Sequence, residues 1–291
     1  MSSSPLRALR DSDADAVAAL FVEAFGDARP LDAEEIRTWL QNELIRPEWM
    51  RVLEQEGRIG GYGDIWIQDG EAVLDVAAPG CWDAFYDWAE QQARVASASV
   101  IRTSFPAGHE LERIVSRRGY APARSSFTME AVLDEPIVPE PPAGIELRPY
   151  GDGDDAVVCS LINDTFAGSP GHHAVTAAKF REFYLGSRGA DPSLWTLAWA
   201  ADEPAGYVLA YPEHVGEPGL GWIGTLGVRA PWRRRGLGGT LLRHAFVGLY
   251  ARGLRRVGLG VDVENETGAV RLYERAGMQV VRRFDNWART P

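Results

Sequence analysis

The sequence predicts an α+β fold built twice in tandem, and three observations carry that expectation. Its 291 residues exceed an ordinary compact domain and suit two. Short β-prone runs alternate with amphipathic helical stripes, the pattern of helices packed on a sheet. The chain also repeats itself, and a repeat constrains every later assignment.

The first copy opens at Leu6-Arg7 with a short strand, an Asp-rich helix start and an amphipathic helix reaching Phe25. At an offset of 141, Leu6, Arg7, Asp11, Asp13, Leu20 and Phe25 meet the same residue types at Leu147, Arg148, Asp152, Asp154, Leu161 and Phe166. The copies also end alike. Leu111–Tyr120 resembles Val270–Met278, each a helix closed by a glycine, Gly119 or Gly277, before a β-rich run. The offset there is 158, so the second copy holds 17 more residues internally. Between the copies four prolines fall within Asp134–Gly144, which reads as a stiff linker. The expected domains are 1–135 and 144–291, joined by a Pro-rich linker at 136–143.

Within the second copy, Trp222–Val228 reads as a buried strand that Pro231 ends. Arg233-Arg234-Arg235-Gly236-Leu237-Gly238-Gly239-Thr240 follows and opens a helix. Leu237, Leu241, Leu242, Ala245, Phe246, Leu249 and Tyr250 form that helix's apolar face. Arg256–Val263 reads as another strand, and Glu264–Gly277 as a capped helix with a glycine stop.

Composition narrows the function. Hydrophobic residues at 45% and charged residues at 24% make a globular mixture, and no run approaches the roughly 20 apolar residues of a membrane span. The opening residues lack an apolar segment, so the expectation is a cytoplasmic protein with no membrane partner. A net charge of −11 repels phosphate backbones, so no nucleic-acid partner is expected. Cys81 and Cys159 lie far apart and read as small buried residues. The adjacent His172 and His173 do not make a metal motif, so no metal is expected.

A strand, an Arg/Gly turn and a helix N-terminus together make an anion site. The first helical N–H groups have no intrahelical partner and carry the positive end of the dipole. Gly236, Gly238 and Gly239 remove side chains, so a diphosphate can lie against those donors, and the arginines add charge. A solvated basic turn is the plainer alternative. The turn is neither a Walker loop nor a dinucleotide fingerprint.

The order Arg-x-x-Gly-x-Gly at Arg233, Gly236 and Gly238 resembles the GNAT family of acetyl-CoA-dependent N-acyltransferases. The later run Asn265…Ala269…Leu272-Tyr273-Glu274…Gly277-Met278 resembles the same family's pattern after its fifth strand. The resemblance implies, for each copy, a three-layer arrangement with a mixed, mostly antiparallel central sheet flanked by helices. It implies acetyl-CoA as co-substrate, with Arg233 to Thr240 at its diphosphate and Leu226-Gly227-Val228 supplying main-chain donors. It also places Asn265 at cofactor or substrate and Tyr273 at the sulfur. Read without it, Asn265 is a helix cap and Tyr273 a core aromatic.

The tandem layout resembles the mycothiol synthase family. The first copy departs from the motif: Val76–Phe85 stands where the diphosphate turn belongs and Val115 where the second copy has Tyr273. One cofactor site per chain is therefore expected. The reaction implied is acetyl transfer to a primary amine of a small molecule, by a monomer or homodimer. Another acyl donor, or a CoA-responsive protein without catalysis, are the alternatives.

Tyr273 is the candidate acid for the leaving thiolate. The base is harder to find. No carboxylate lies on Trp222–Val228, and Trp222 stands about where the resemblance places an acidic residue. Glu217 and His214, in the preceding loop, are candidates or plain loop residues. The stretch Phe166–Val175 is implied to roof the acceptor pocket, or is surface.

Overall fold

A computed structural model describes residues 6–42, 45–169, 172–264 and 268–291. The chain forms two compact units, and neither is a simple stretch of sequence. The first takes residues up to Ser126 together with Asp262–Glu264 and Arg282–Pro291; the second takes Phe127–Val261 and Asn265–Val281.

The first unit begins with β1 (Leu6–Ala8) and α1 (Ala14–Phe25), followed by α2 (Ala33–Gln41). Asp13 explains the repeated Asp: its carboxylate accepts from the Arg10 N–H at 2.8 Å and from the Arg7 guanidinium at 2.7 and 2.9 Å. Strands β2 (Met50–Gln55), β3 (Arg58–Gln68) and β4 (Glu71–Ala77) follow, then α3 (Trp82–Val95), β5 (Val100–Pro106) and α4 (Leu111–Arg117). Neighbouring strands run antiparallel except β4 beside β5. Buried Val17, Phe21, Tyr62, Phe85 and Phe105 lie in its core.

The strand β6 (Ala121–Val132) starts in the first unit and finishes in the second. The second unit continues with β7 (Glu146–Pro149), α5 (Asp155–Thr165), α6 (Ala177–Phe180), β8 (Thr196–Ala200), β9 (Glu203–Tyr211) and β10 (Leu220–Val228). It then holds α7 (Leu237–Ala251), β11 (Arg256–Asp262), α8 (Ala269–Arg275) and the start of β12 (Gln279–Arg289). Asp154 repeats the role of Asp13, accepting from the Gly151 N–H at 2.9 Å. Its strands run in the order β6-β11-β10-β9-β8-β7. Of the paired strands, β10 and β11 are parallel, while β7, β8, β9 and β10 alternate in direction. Each unit is thus a mixed, mostly antiparallel sheet flanked by helices.

Two sequence expectations shift. The Pro-rich stretch 136–143 lies within the second unit, and the division falls earlier, inside β6. The physical reason is strand exchange. The C-terminal part of β12 pairs with β5 from Phe284↔Pro106 to Arg289↔Ile101, and Trp287 stacks on Phe105 at 6.2 Å. The last helix is also shorter than Glu264–Gly277: α8 begins at Ala269, after Gly268 in a left-handed conformation (φ 75°).

Among the described residues no helix is long and apolar enough to cross a membrane. No group of His, Cys, Asp and Glu among them could hold a metal ion.

Candidate active site

The parallel ladder of β10 and β11 runs from Leu220↔Arg256 to Ile223↔Leu259 and stops. There β10 carries a bulge between Ile223 and Thr225, leaving Gly224 exposed. The glycine is required: a Cβ at Gly224 would lie 2.5 Å from Tyr211 Cε2. Beyond the bulge β10 keeps its partner β9 through Val228↔Gly206. The Arg229 N–H donates to the Ala205 carbonyl at 2.9 Å, which fixes the phase of that ladder. Antiparallel alternation then turns the Gly227 N–H toward β9 and the Leu226 and Val228 N–H groups toward the edge beyond the end of the β11 ladder. Of the three positions expected to supply donors, Leu226 and Val228 thus have them on that free edge.

The turn Arg233–Gly239 closes the same end of the strand. Arg233 Nε donates to the Val228 carbonyl at 2.8 Å and Nη2 to the Thr165 carbonyl at 3.4 Å. Its guanidinium therefore staples the turn to β10 and α5. Arg234 (φ 60°) and Gly236 (φ 86°) are both left-handed, curling the main chain into α7. Such alternation aims successive N–H groups into one concavity. Gly236 is the N-cap of α7, and no side chain caps the helix. The N–H groups of Leu237, Gly238 and Gly239 belong to its first turn and lack helical acceptors. Thr240 does not join them: its N–H and hydroxyl both bond the Gly236 carbonyl, at 3.1 and 3.3 Å. Arg234 and Arg235 are exposed, with no hydrogen bond or ion pair among the described residues.

The glycines divide the work. A Cβ at Gly236 would meet nothing within 4 Å, so that corner is open. A Cβ at Gly238 would lie 3.0 Å from Leu272 and about 4 Å from Val228 and Leu226 side-chain carbons. Gly238 therefore lets α8, the helix that carries Tyr273, approach α7 and β10. Tyr273 is buried (8% exposed), and its hydroxyl has no hydrogen-bond partner among the described residues. Burial pushes its phenol up to about 12, so it holds its proton. Asn265 lies outside the described residues.

On the opposite face of β10, Thr165 and Tyr207 press on Gly227, where a Cβ would fall 2.5 Å from each. The Tyr207 hydroxyl shares a hydrogen bond with Thr225 Oγ1 at 2.9 Å, while the Thr165 hydroxyl donates to the Leu161 carbonyl at 2.7 Å. Sequence reasoning missed this Tyr207–Thr225 pair. The usable signal was the repeat: Tyr62 pairs with Ala77 as Tyr207 pairs with Gly227.

The two base candidates are engaged elsewhere. The His214 ring stacks on Trp222 at 3.8 Å and 10°, and Glu217 lies 4.0 Å from Arg256. Both sit before Leu220, and Leu220 to Leu226 spans about 20 Å of strand at ~3.3 Å per residue.

The matching corner of the first unit has the opposite chemistry. Trp82 opens α3, and its Nε1 donates to Glu110 Oε1 at 2.9 Å. Asp83 and Glu110 line the adjoining cavity of about 270 Å³, and Val115 is fully buried. Two carboxylates there oppose a diphosphate.

Residues 157–278 match the acetyltransferase (GNAT) family. A mycothiol acetyltransferase of Pseudarthrobacter chlorophenolicus is 32% identical over 177 residues, which cover 56% of this chain and 52% of that protein. The chain thus spans about half the length of the curated relatives it matches. The solved GCN5-related N-acetyltransferase from Sphaerobacter thermophilus is 31% identical, with a TM-score of 0.80 over 98% of this chain and 95% of that one. A tandem GNAT protein from the clavulanic acid biosynthesis pathway shares the fold at a TM-score of 0.73 and 19% identity, over 98% of each chain. With a motif-bearing second unit, a repeated first unit and a relative matched almost end to end, the chain belongs to the acetyltransferase (GNAT) family, in its tandem form.

Proposed function

We propose that the chain transfers the acetyl group of acetyl-CoA to a primary amine of a small molecule, at one site in the second unit. The observation that carries this reading is convergence. The Leu226 and Val228 edge and the uncapped start of α7 adjoin where the β10–β11 ladder ends, and α8, which carries the buried Tyr273, packs on Gly238 beside them through Leu272, which supports the reading. The fit to a diphosphate is physical: an open corner at Gly236, first-turn N–H groups and two exposed arginines that are unpaired among the described residues. Bound there, acetyl-CoA supplies an activated acyl thioester.

The chain's residues have three tasks. The Leu226 and Val228 N–H groups orient the bound molecule along β10 and stabilise the oxygen that gains charge. Tyr273, protonated at neutral pH, gives its proton to the departing sulfur. The open edge admits an amine to the acyl carbon. Relatives named mycothiol acetyltransferase match about half their length, and Trp222 stands where the family resemblance implies an acidic residue. The acceptor is therefore proposed as a primary amine and no more narrowly.

The test is release of CoA thiol from acetyl-CoA against a panel of amino sugars, polyamines and amino acids. Amine-dependent release with acetylated product supports the reading, and its absence across the panel removes it. Calorimetry with CoA is expected to give one site per chain; two equivalent sites contradict the single-site assignment.

A further inference from the structure

Amine deprotonation is the step for which the site so far names no residue. A lysine-like amine, with a pKa of about 10.4, costs roughly 4–5 kcal/mol to deprotonate at pH 7. His214 and Glu217 are held away by Trp222 and Arg256. Asp164, near the end of α5, is paired with Arg229 at 2.6 Å.

The segment after α5 offers a different group. Thr165, its last residue, presses on Gly227 of β10. Phe166 follows; the Ser169 N–H donates to the Phe166 carbonyl at 2.9 Å and the His172 N–H to the Ser169 carbonyl at 3.1 Å. The far end is clamped by Asn163, whose side chain donates to the Val175 carbonyl at 3.0 Å and accepts from its N–H at 2.8 Å. Thr165 thus sets the start of this segment beside Gly227 of β10, and Asn163 holds its far end at Val175. The His172 ring stacks on Phe166, with centroids 6.0 Å apart and planes 30° apart. It is half-buried, and neither ring nitrogen has a hydrogen-bond partner among the described residues.

We propose that His172 is the general base that takes the first proton from the incoming ammonium. The inference rests on the acetyl-transfer reading above. The step balances as follows. An imidazole nitrogen of His172 accepts one ammonium proton, freeing the nitrogen lone pair. That pair forms the C–N bond at the acyl carbon, and the C–S bond breaks. The second proton lost by the nitrogen replaces the one that Tyr273 gives to the sulfur. His172 then releases its proton to solvent, so the products are the acetamide, CoA thiol and one proton. A base here must be neutral before the reaction. Burial first, then the neighbouring His173 and Lys179, hold His172 below the ordinary histidine value.

His172→Phe tests this directly, because phenylalanine keeps a ring against Phe166 but cannot take a proton. For an acceptor active in the panel, kcat/KM at pH 7 is expected to fall about 10²-fold. Affinity for acetyl-CoA and the melting temperature should stay near wild type. Imidazole added to His172→Ala is expected to restore part of the lost rate, and the acid limb of the wild-type kcat/KM profile should vanish in both variants. A phenylalanine variant within threefold of wild type, with the same pH profile, overturns the assignment. If the wild type itself releases no thiol with any amine, the acetyl-transfer reading fails first and this one with it.

Discussion

Tyr273 is a phenol with nothing among the described residues to bond and little water around it. Such a group stays protonated and is suited to meet a charge that develops beside it. Tyr273→Phe is expected to lower kcat by about 10²-fold, with calorimetric affinity for CoA unchanged; an unchanged kcat removes Tyr273 from the chemistry. A second titrating residue lies in the first unit. Asp64 and Asp75 face each other across β3 and β4, and Arg29 clasps Asp75 with both guanidinium nitrogens. Asp64 is left with the Tyr62 hydroxyl at 2.9 Å. Burial and the Asp75 charge push its carboxyl up to about 8, against the opposing pull of Tyr62 and Arg29. From the unfolded value of 3.8 up to about 8, the folded chain keeps a proton that the unfolded chain releases. Stability must therefore decline as pH rises through that window. Asp64→Asn keeps an acceptor for Tyr62 without the titration, so it should melt above wild type at pH 8 and converge with it toward pH 4. A difference constant across that range contradicts the shift. Tyr273 could be proposed from the sequence because the motif that carries it is local. The Tyr207–Thr225 hydroxyl pair could not, because two strands contribute one hydroxyl each and only the β9–β10 register aligns them.

At the scale of elements, the turn from β10 into α7 carries the proposed site. Its sequence foretold a strand, a break and a helix with free N–H groups, since Pro231, the glycines and the apolar stripe are local signals. What it hid was the division of labour. Arg233 turns back to two carbonyls, Thr240 bonds the Gly236 carbonyl, and Gly238 is small for the sake of Leu272. Each partner lies on another element or depends on main-chain curvature that composition does not encode. The bulge at Gly224 was hidden likewise, because it exists only relative to β9 and to the end of the β11 ladder. Arg234 in a left-handed conformation costs on the order of 1 kcal/mol or more, strain of the kind that persists at binding turns. Two substitutions separate geometry from charge at Gly236. Alanine strains a φ of 86° but leaves the corner open, so CoA affinity should fall only severalfold. Glutamate adds a like charge beside the helix start and should abolish measurable binding in calorimetry. A glutamate variant with wild-type affinity refutes the diphosphate assignment.

At the scale of the whole molecule, the repeat is visible in the letters but the allocation of strands is not. Local pattern places a seam at the prolines, since four of them cannot continue a helix or a central strand. Strand partnership is nonlocal, and it assigns the last strand from Arg282 onward to the first unit. Arg289 donates to the Arg118 carbonyl at 2.7 Å and lies 3.1 Å from the buried Glu90, while Trp287 rests on Phe105. In exchange, Phe127–Val132 of β6 serves the second unit, where Glu130 pairs with Arg256 at 2.6 Å and the Leu133 N–H donates to the Arg255 carbonyl. A chain cut within residues 136–143 therefore yields two pieces, each holding a strand that the other's unit needs. With a protease site placed in that stretch and cleaved in the folded protein, the pieces should elute as one species and keep a single CoA site. Residues 144–291 produced alone lack β6 and leave β11 without that neighbour, so they should aggregate or resist folding, as unpaired interior strands do. Clean separation of the cleaved pieces into two folded species would show that each unit is complete without the exchanged strands.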